Sequence, residues 1–567
     1  MNELMYRIVW VCLVAMPCLP LAPVSIAAQT QSESQPSQGH ALIEAEIEAR
    51  DAPDSPATAA QELAEQAEAA ASQEAAQTAA PARVAMRAVA QRMTVRSVTV
   101  GASAYLTEAE IATVIASLIG REIDLREAGQ LAAAFDAAYA AKGVGLASAV
   151  VASVDPRSGD VRIVFDEPRI GTVRVRDGAL ASGEVYARRL ALQSGAMADT
   201  RAIAVRQLRL QRLSGVQTEL SATPGAEPGT VDLTLTPVEP PARVFSAALD
   251  NHGNAATGRE RLNLSYAESS LTGRLDPLSL SVTLARGLQS GAIGYALPLG
   301  SEGMSVFASG SLERSRSLRG PDLRSRTQSA ELGLSLPVVV EAESQLVLRA
   351  SLQHFREQRR TLGVVTTEQH GTALALGANY ARFMARAAVS YDQSLRHVVW
   401  TDAVIGRSRT TVLAGEGSGS VALGTDWQAV GRLGWQAVLG QNLPAFYRAG
   451  LGSPSRVRGY DPAVSSGDAF VFGSVQMQRA APWTVSVRNE DDLSAFPFAF
   501  IDMGRAFDRA GGVSAAQDML TSVGVGSVVQ FGSRGIGEIV LAMPLRDANG
   551  FSAAGRVRAD LRLGVRF

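Results

Sequence analysis

Cysteine is nearly missing from this 567-residue chain: Cys12 and Cys18, both close to the N-terminus, are the whole supply. Without that first segment the remainder would hold no disulfide and no thiol chemistry. Lys142 is the single lysine, so a lysine-based catalyst has little to work with. The five histidines, His40, His252, His354, His370 and His397, are scattered without metal-ligand spacing, and neither H-E-x-x-H nor a G-x-S-x-G elbow occurs. No catalytic constellation, metal or cofactor is expected. Lys+Arg of 53 against Asp+Glu of 55 gives a net charge of −2, which argues against a basic nucleic-acid-binding surface. Charged residues are only 19% and aromatics 5%. Apart from the N-terminal segment, no apolar run is long enough for a membrane helix. A membrane form of this chain would have to be a closed β-barrel.

What is present is glycine, 52 residues of it, and a chain long enough for several units. Residues 1–27 read as a secretory signal peptide: Arg7, then IVWVCLVAM, then VSIAAQ with small residues Ser25 and Ala27 before a cleavage point. The apolar run is about half of the ~20 residues that span a bilayer. Residues 28–92 are rich in Ala, Glu, Gln, Ser and Pro. Within them 57–79 has high helix propensity but one large apolar residue, Leu63. Such a helix has no face to bury. Two readings stand: an acidic tether, or a polar helix that plugs a wet lumen made basic by Arg558, Arg562 and Arg566.

Residues 93–167 and 168–240 read as two small α/β units, each in the order β-α-α-β-β. In the first, TVRSVTVGA is strand-like. A helix follows, with Thr107 as N-cap and Glu110 as its capping-box partner. A second helical pattern runs over 125–141, then two strands joined by a PRSG turn. The second unit repeats this from RIGTVRVRDG to TVDLTLTPVE. The order, together with Tyr139-x-x-x-Gly143 ending the second helix, resembles the POTRA domain. That resemblance implies periplasmic modules that bind extended polypeptide by strand addition.

Residues 241–567 change register. Segments of about 9–13 residues alternate apolar with small or polar residues between Gly, Ser, Asp and Asn turns, the period of a barrel strand. Sixteen candidates run from 243–251 to 555–567. In the last, Val557, Ala559, Leu561, Leu563, Val565 and Phe567 share one face, and Arg558, Asp560, Arg562 and Arg566 the other. Arginines on a lipid face would cost ~2–4 kcal/mol each near the midplane, so they face a wet interior. The fold class is therefore mainly β: a 16-stranded transmembrane barrel behind two small α/β domains. Its terminal Phe567 suggests an insertion signal for the barrel-assembly machinery.

Five segments resemble one family, the TpsB transporters of two-partner secretion (haemolysin-activator and filamentous-haemagglutinin exporters). They are DNHGNAATGRERLNLSY at 250–266, SLTGRLDPLSLSV at 270–282, IGYALPLG at 293–300, SRVRGYDP at 455–462 and FAFIDMGRAF at 498–507. In the second, Asp276 stands where the family has a Gly-Asp pair. The segment before residue 93 has no family counterpart. The resemblance implies an outer-membrane exporter. Its POTRA domains would capture an unfolded secreted exoprotein and its barrel would pass that passenger to the cell surface. It implies that the stretch 440–468 folds back into the barrel, with Val457, Arg458, Gly459 and Tyr460 in the pore. It also implies that Arg458 pairs with an inner-wall acid, for which Asp502, with Gly504 two residues on, is the match. Period two then puts Phe498 and Phe500 on that same inner side, placed to pack an entering loop. Two alternatives share parts of the pattern: an assembly factor that inserts other barrels, and a passive porin.

Overall fold

The computed structural model describes residues 92–124, 129–440, 442–486, 492–508, 519–532, 534–548 and 552–567. The proposed signal peptide, the acidic linker and the 57–79 helix lie outside these residues. The chain divides into two compact units that meet in sequence at Glu239 and Pro240.

The N-terminal unit contains two three-stranded sheets. In the first half, β1 (Arg92–Thr94) and β2 (Ser97–Val100) precede α1 (Glu108–Leu118), β3 (Glu122–Asp124), α2 (Gln130–Ala141), β4 (Ser148–Asp155) and β5 (Asp160–Asp166). The sheet order is β2-β5-β4, with β2 parallel to β5. The small β1–β3 pair has no counterpart in the sequence pattern. The helix read over 125–141 begins at Gln130, and 125–128 fall outside the described residues. Thr107 caps α1 as a full capping box: Glu110 N–H donates to Thr107 Oγ1 at 3.4 Å, and Thr107 N–H donates to the Glu110 carboxylate at 2.8 Å. Leu118, Leu131, Phe135, Val161 and Ile163 form the core beneath both helices.

The second half repeats the plan. β6 (Arg169–Val175), α3 (Gly183–Leu190), α4 (Thr200–Ser214), β7 (Gln217–Pro224) and β8 (Thr230–Val238) give the order β6-β8-β7. One shared device was not visible in the sequence. At the end of each half a glutamate folds back onto a buried tyrosine and onto backbone amides before the first helix. Glu167 accepts from Tyr139 Oη (2.8 Å) and Ala104 N (2.8 Å). Glu239 accepts from Tyr186 Oη and from Ala179 N (2.8 Å). Burial and the adjacent carboxylate push both phenols above their usual range, so both tyrosines stay neutral donors.

The second unit is a closed antiparallel barrel. Its strands are β9 (Arg243–Asp250), β10 (Arg261–Glu268), β11 (Leu278–Ala285), β12 (Leu288–Leu299), β13 (Met304–Arg316), β14 (Leu323–Val340) and β15 (Ser344–Thr361). They continue with β16 (Val364–Met384), β17 (Ala387–Asp402), β18 (Gly406–Leu423) and β19 (Trp427–Leu439). A long connection carrying the small hairpin β20 (Ala449–Leu451) and β21 (Ser465–Gly467) follows. Then come β22 (Ala469–Arg479), β23 (Trp483–Ser486), β24 (Asp492–Phe507), β25 (Leu520–Phe531), β26 (Gly535–Pro544) and β27 (Arg558–Arg566). β22 and β23 both pair with β24 and form one stave, broken at Ala480–Pro482, where Pro482 has no N–H for the ladder. The barrel therefore has sixteen staves, and each overlaps one of the sixteen candidate segments, although the candidate at 383–393 begins in the last residues of β16 and reaches only the first half of β17.

β27 closes on β9, and Phe567 extends the seam by exchanging backbone hydrogen bonds with Phe245 (2.8 and 3.1 Å). Beyond the end of β9, the Asn251 amide continues it, accepting from Leu561 N (2.8 Å) and donating to Ala559 O (2.9 Å). Leu332, Leu352, Leu374, Leu561 and Leu563 stand exposed on the outer surface, while Asp502, Asp560 and Gln353 are buried inside. Apolar outside and polar inside is the solution a lipid surround demands. The lumen side of β27 is not the unopposed basic stripe that its alternation suggests. Arg558 is neutralised by Asp560 (2.7 Å) and Asp461 (2.7 Å).

Candidate functional site

The interior of the barrel is occupied by the 440–468 connection, which departs from the rim opposite the barrel's two termini. Three sets of contacts hold it there. At its start, Phe446 stacks on Phe355 with centroids 4.9 Å apart. Tyr447 donates to Gln353 Oε1 at 2.6 Å, and Ala445 N–H donates to Gln369 Oε1 at 2.8 Å. Gln436 Nε2 then bonds the Tyr447 and Asp468 carbonyls (2.9 and 2.8 Å), tying both arms of the β20–β21 hairpin to the wall.

The tip is Val457-Arg458-Gly459-Tyr460. Val457 and Gly459 are both left-handed, at φ 63° and 87°, which turns the chain sharply and projects Arg458. A β-branched residue in that region is strained by roughly 1–3 kcal/mol and persists only if its surroundings fix it. Here they do. The Val457 side chain fills the space above Gly504, where a Cβ would lie 2.9 Å from Val457 Cγ2 and 3.0 Å from Phe472 Cβ.

Arg458 reaches the wall at β24. Its Nε and Nη2 hold the two Asp502 oxygens at 2.8 Å each, and its own backbone N–H adds a third bond at 2.9 Å. Nη1 donates to Gln476 Oε1 (2.7 Å). Ser474, directly opposite Asp502 in the β22–β24 register, donates to Asp502 Oδ1 at 2.7 Å. Both charges are nearly inaccessible, with Arg458 8% and Asp502 2% exposed. The guanidinium carbon lies 3.4 Å from the Phe500 ring centroid and 5.9 Å from that of Phe498. Those rings lie flat because β25 presents Gly524 and Gly526 opposite them. A Cβ at either glycine would sit 2.5 Å from a ring atom. Tyr460 anchors the far side of the tip. Its hydroxyl meets Thr521 O at 2.8 Å, Arg546 O at 3.0 Å and Thr521 N at 3.1 Å.

The structure thus brings Val457, Arg458, Gly459, Tyr460, Phe498, Phe500, Asp502 and Gly504 into one cluster. Phe567 is apart from it, on the outer surface at the barrel seam. Sequence reasoning missed Ser474, Gln476, Gln353 and Gln369, single polar residues on barrel strands with no local signal. It also missed what the weaker segments do. Asp250 and Arg261, in the first, are bound to each other (2.8 and 3.2 Å). Asp276, in the second, accepts from Thr272 N (3.0 Å) and from Tyr295 Oη (2.7 Å), the tyrosine of the third. Asp461, next to the loop tip, is held by Arg558 and by Arg259 (3.1 Å). Among the described residues no group of three or more His, Cys, Asp or Glu converges as a metal site.

A polar-lined, sixteen-stave barrel with an apolar exterior, entered by a long buried loop and preceded by two β-α-α-β-β units, defines an outer-membrane β-barrel with periplasmic POTRA domains. Residues 229–529 match the family described as haemolysin secretion/activation protein ShlB/FhaC/HecB, just over half of the chain, and the protein belongs to that family. Its fold is similar to CdiB from Escherichia coli, at TM-score 0.66 and 17% identity over 91% of this chain and 100% of that one. CdiB from Acinetobacter baumannii gives TM-score 0.57 and 16% identity over 91% and 99%. BamA from Haemophilus ducreyi lacking POTRA domains 1–3 gives 0.54 and 14% over 84% and 100%. A search of curated proteins finds no match. The protein is an outer-membrane transporter of two-partner secretion.

Proposed function

We propose that the two periplasmic units capture an unfolded exoprotein and that the loop-filled barrel conducts it to the cell surface. The observation that carries this reading is the loop itself: its tip lies across the lumen, held by a buried ion pair. A pore that moves polypeptide needs an element that occupies the lumen at rest and yields to a chain. The β4 and β7 edges support the capture step. Among the described residues each pairs on one side only, leaving backbone groups open to an added strand. Folding of the passenger outside the cell supplies the direction of transport. The assembly-factor alternative shares this architecture, as the likeness to BamA illustrates, but the family match favours secretion. A plain porin has no use for an arginine held to the wall by three bonds.

Deleting 94–166 should leave a barrel that inserts and conducts ions in planar bilayers but exports no passenger. Normal export by that variant would place recognition elsewhere in the chain.

A further inference from the structure

The two rims of the barrel have different outer surfaces. At the rim holding both termini the exposed aromatics gather: Phe245, Tyr380, Trp427, Trp483, Phe531 and Phe567. This is the ordinary interfacial girdle. Among the described residues Phe507 is the one exposed aromatic at the other rim. There, from β13 to β18, the outward positions carry arginine and histidine.

The change follows the strand period. On β14 the outward row runs Val338, Leu336, Leu334, Leu332, Ala330, Gln328, Arg326, Arg324. From Val338 to Ala330 is eight residues of ~3.3 Å on a strand tilted ~40°, a climb of about 20 Å, close to the ~25 Å apolar band of such barrels. The arginines begin where that band ends. On β15 the row Leu348, Ala350, Leu352 gives way to His354, Arg356 and Arg360. His370 on β16 and His397 on β17 occupy the same outward side. β13 contributes Arg314 and Arg316, and β18 Arg407 and Arg409. All of these arginines and histidines are exposed.

Their arrangement works against the barrel alone. Arg314 stands directly opposite Arg326, Arg316 opposite Arg324, and Arg324 opposite Arg360. Like charges facing across a ladder are destabilising. Asp322 offsets Arg316 and Arg324 (3.3 and 3.0 Å), and Glu368 offsets Arg356 (2.7 Å). Arg314, Arg326, Arg360, Arg407 and Arg409 have no acidic partner among the described residues. Beside them lies a concavity of about 440 Å³ lined by His354, Arg356, Glu368, His370, Thr401 and Ala403. A positive belt stacked on a lipid-facing leucine surface matches an amphiphile with acyl chains below and phosphates above.

We propose that the β13–β18 face docks the phosphorylated glycolipid of the outer leaflet. The paired arginines grip its lipid A phosphates, and the leucines beneath contact its acyl chains. The belt is on the membrane side of the barrel, so this binding is separate from the loop and from passenger transport.

The test uses the full-length protein in detergent micelles and native mass spectrometry with bisphosphorylated, monophosphorylated and dephosphorylated lipid A. Wild type should bind in that descending order. The Arg314→Gln/Arg326→Gln/Arg360→Gln variant should bind the bisphosphorylated form about tenfold more weakly or worse, while millimolar inorganic phosphate should not compete. Wild-type binding that ignores phosphate number would overturn the proposal, and this arm decides even if the triple variant fails to insert. Undiminished binding by an inserted, heat-modifiable triple variant would overturn it too. Competition by inorganic phosphate alone would reduce the belt to a general anion surface and likewise end the proposal.

Discussion

Arg458 and Asp502, 44 residues apart in the chain, are joined by a bidentate side-chain pair and a backbone hydrogen bond, all between 2.8 and 2.9 Å, inside a closed barrel. Because the loop backbone itself donates to the carboxylate, the pair fixes the position of the chain as well as a side chain.

Removing one partner leaves the other as an unpaired buried charge, at a cost of ~3–5 kcal/mol. Arg458→Ala and Asp502→Ala should each lower secretion while the barrel still inserts. The double variant should be no worse than either single one. A double-mutant cycle of secretion rates checks this, and simple additivity would remove the coupling.

Gly504→Val attacks the same tip without touching a charge. The new side chain would occupy the space that Val457 fills, its Cβ already inside contact distance of Val457 and Phe472. The expected outcome is a displaced loop tip with higher single-channel conductance in planar bilayers, despite an intact Arg458 and Asp502.

Tyr460→Phe removes the one hydroxyl that serves three backbone groups, those of Thr521 and Arg546. Thr521 O keeps the Leu545 N–H as a donor (2.8 Å), and a buried polar group that does lose its partner costs ~1–3 kcal/mol. Heat-modifiability on gels should show a lower unfolding temperature for the barrel, since the loop is part of its interior packing.

At the N-terminal unit, the Lys142 ammonium and the Thr107 amide and hydroxyl hold the Glu110 carboxyl down to about 2. A carboxyl whose folded pKa is depressed contributes stability above its unfolded value, near 4.3, and loses it as pH falls through the folded one. Protection of the first-turn amides of α1 against hydrogen exchange should therefore decline between about pH 4.5 and pH 2. Glu110→Gln should remove that pH dependence.

Much of the fold could be read along the chain because each strand of a barrel faces lipid on one side and water on the other. That constraint prints a period of two on every strand. β22 matches its candidate segment residue for residue, at 469–479. The long strands did not. β14 covers 323–340 against a candidate of 326–336, and β16 covers 364–384 against 369–380. At the far end of β14 the outward position becomes Arg324 and the contrast between faces fades, while at its other end the run Pro337–Val340 is apolar throughout and carries a register shift between Pro337 and Val339, so the period of two is lost there as well. The Thr107–Glu110 box was legible for a related reason: capping is settled within four residues.

The sequence by itself determined the local features: which segments become strands, which face of each strand meets lipid, where α1 begins, and that Asp502 shares a side with Phe498 and Phe500. Tertiary structure alone decided the partners. Nothing near Arg458 names Asp502, and nothing near Gly524 and Gly526 announces the rings they accommodate. Nor does the chain announce the tyrosine that Asp276 binds, or that the arginines of three neighbouring strands stand opposite one another. Period and capping are set by the geometry of a few adjacent residues. Pairing depends on the register in which distant strands meet, and barrel closure sets that register for all sixteen staves together.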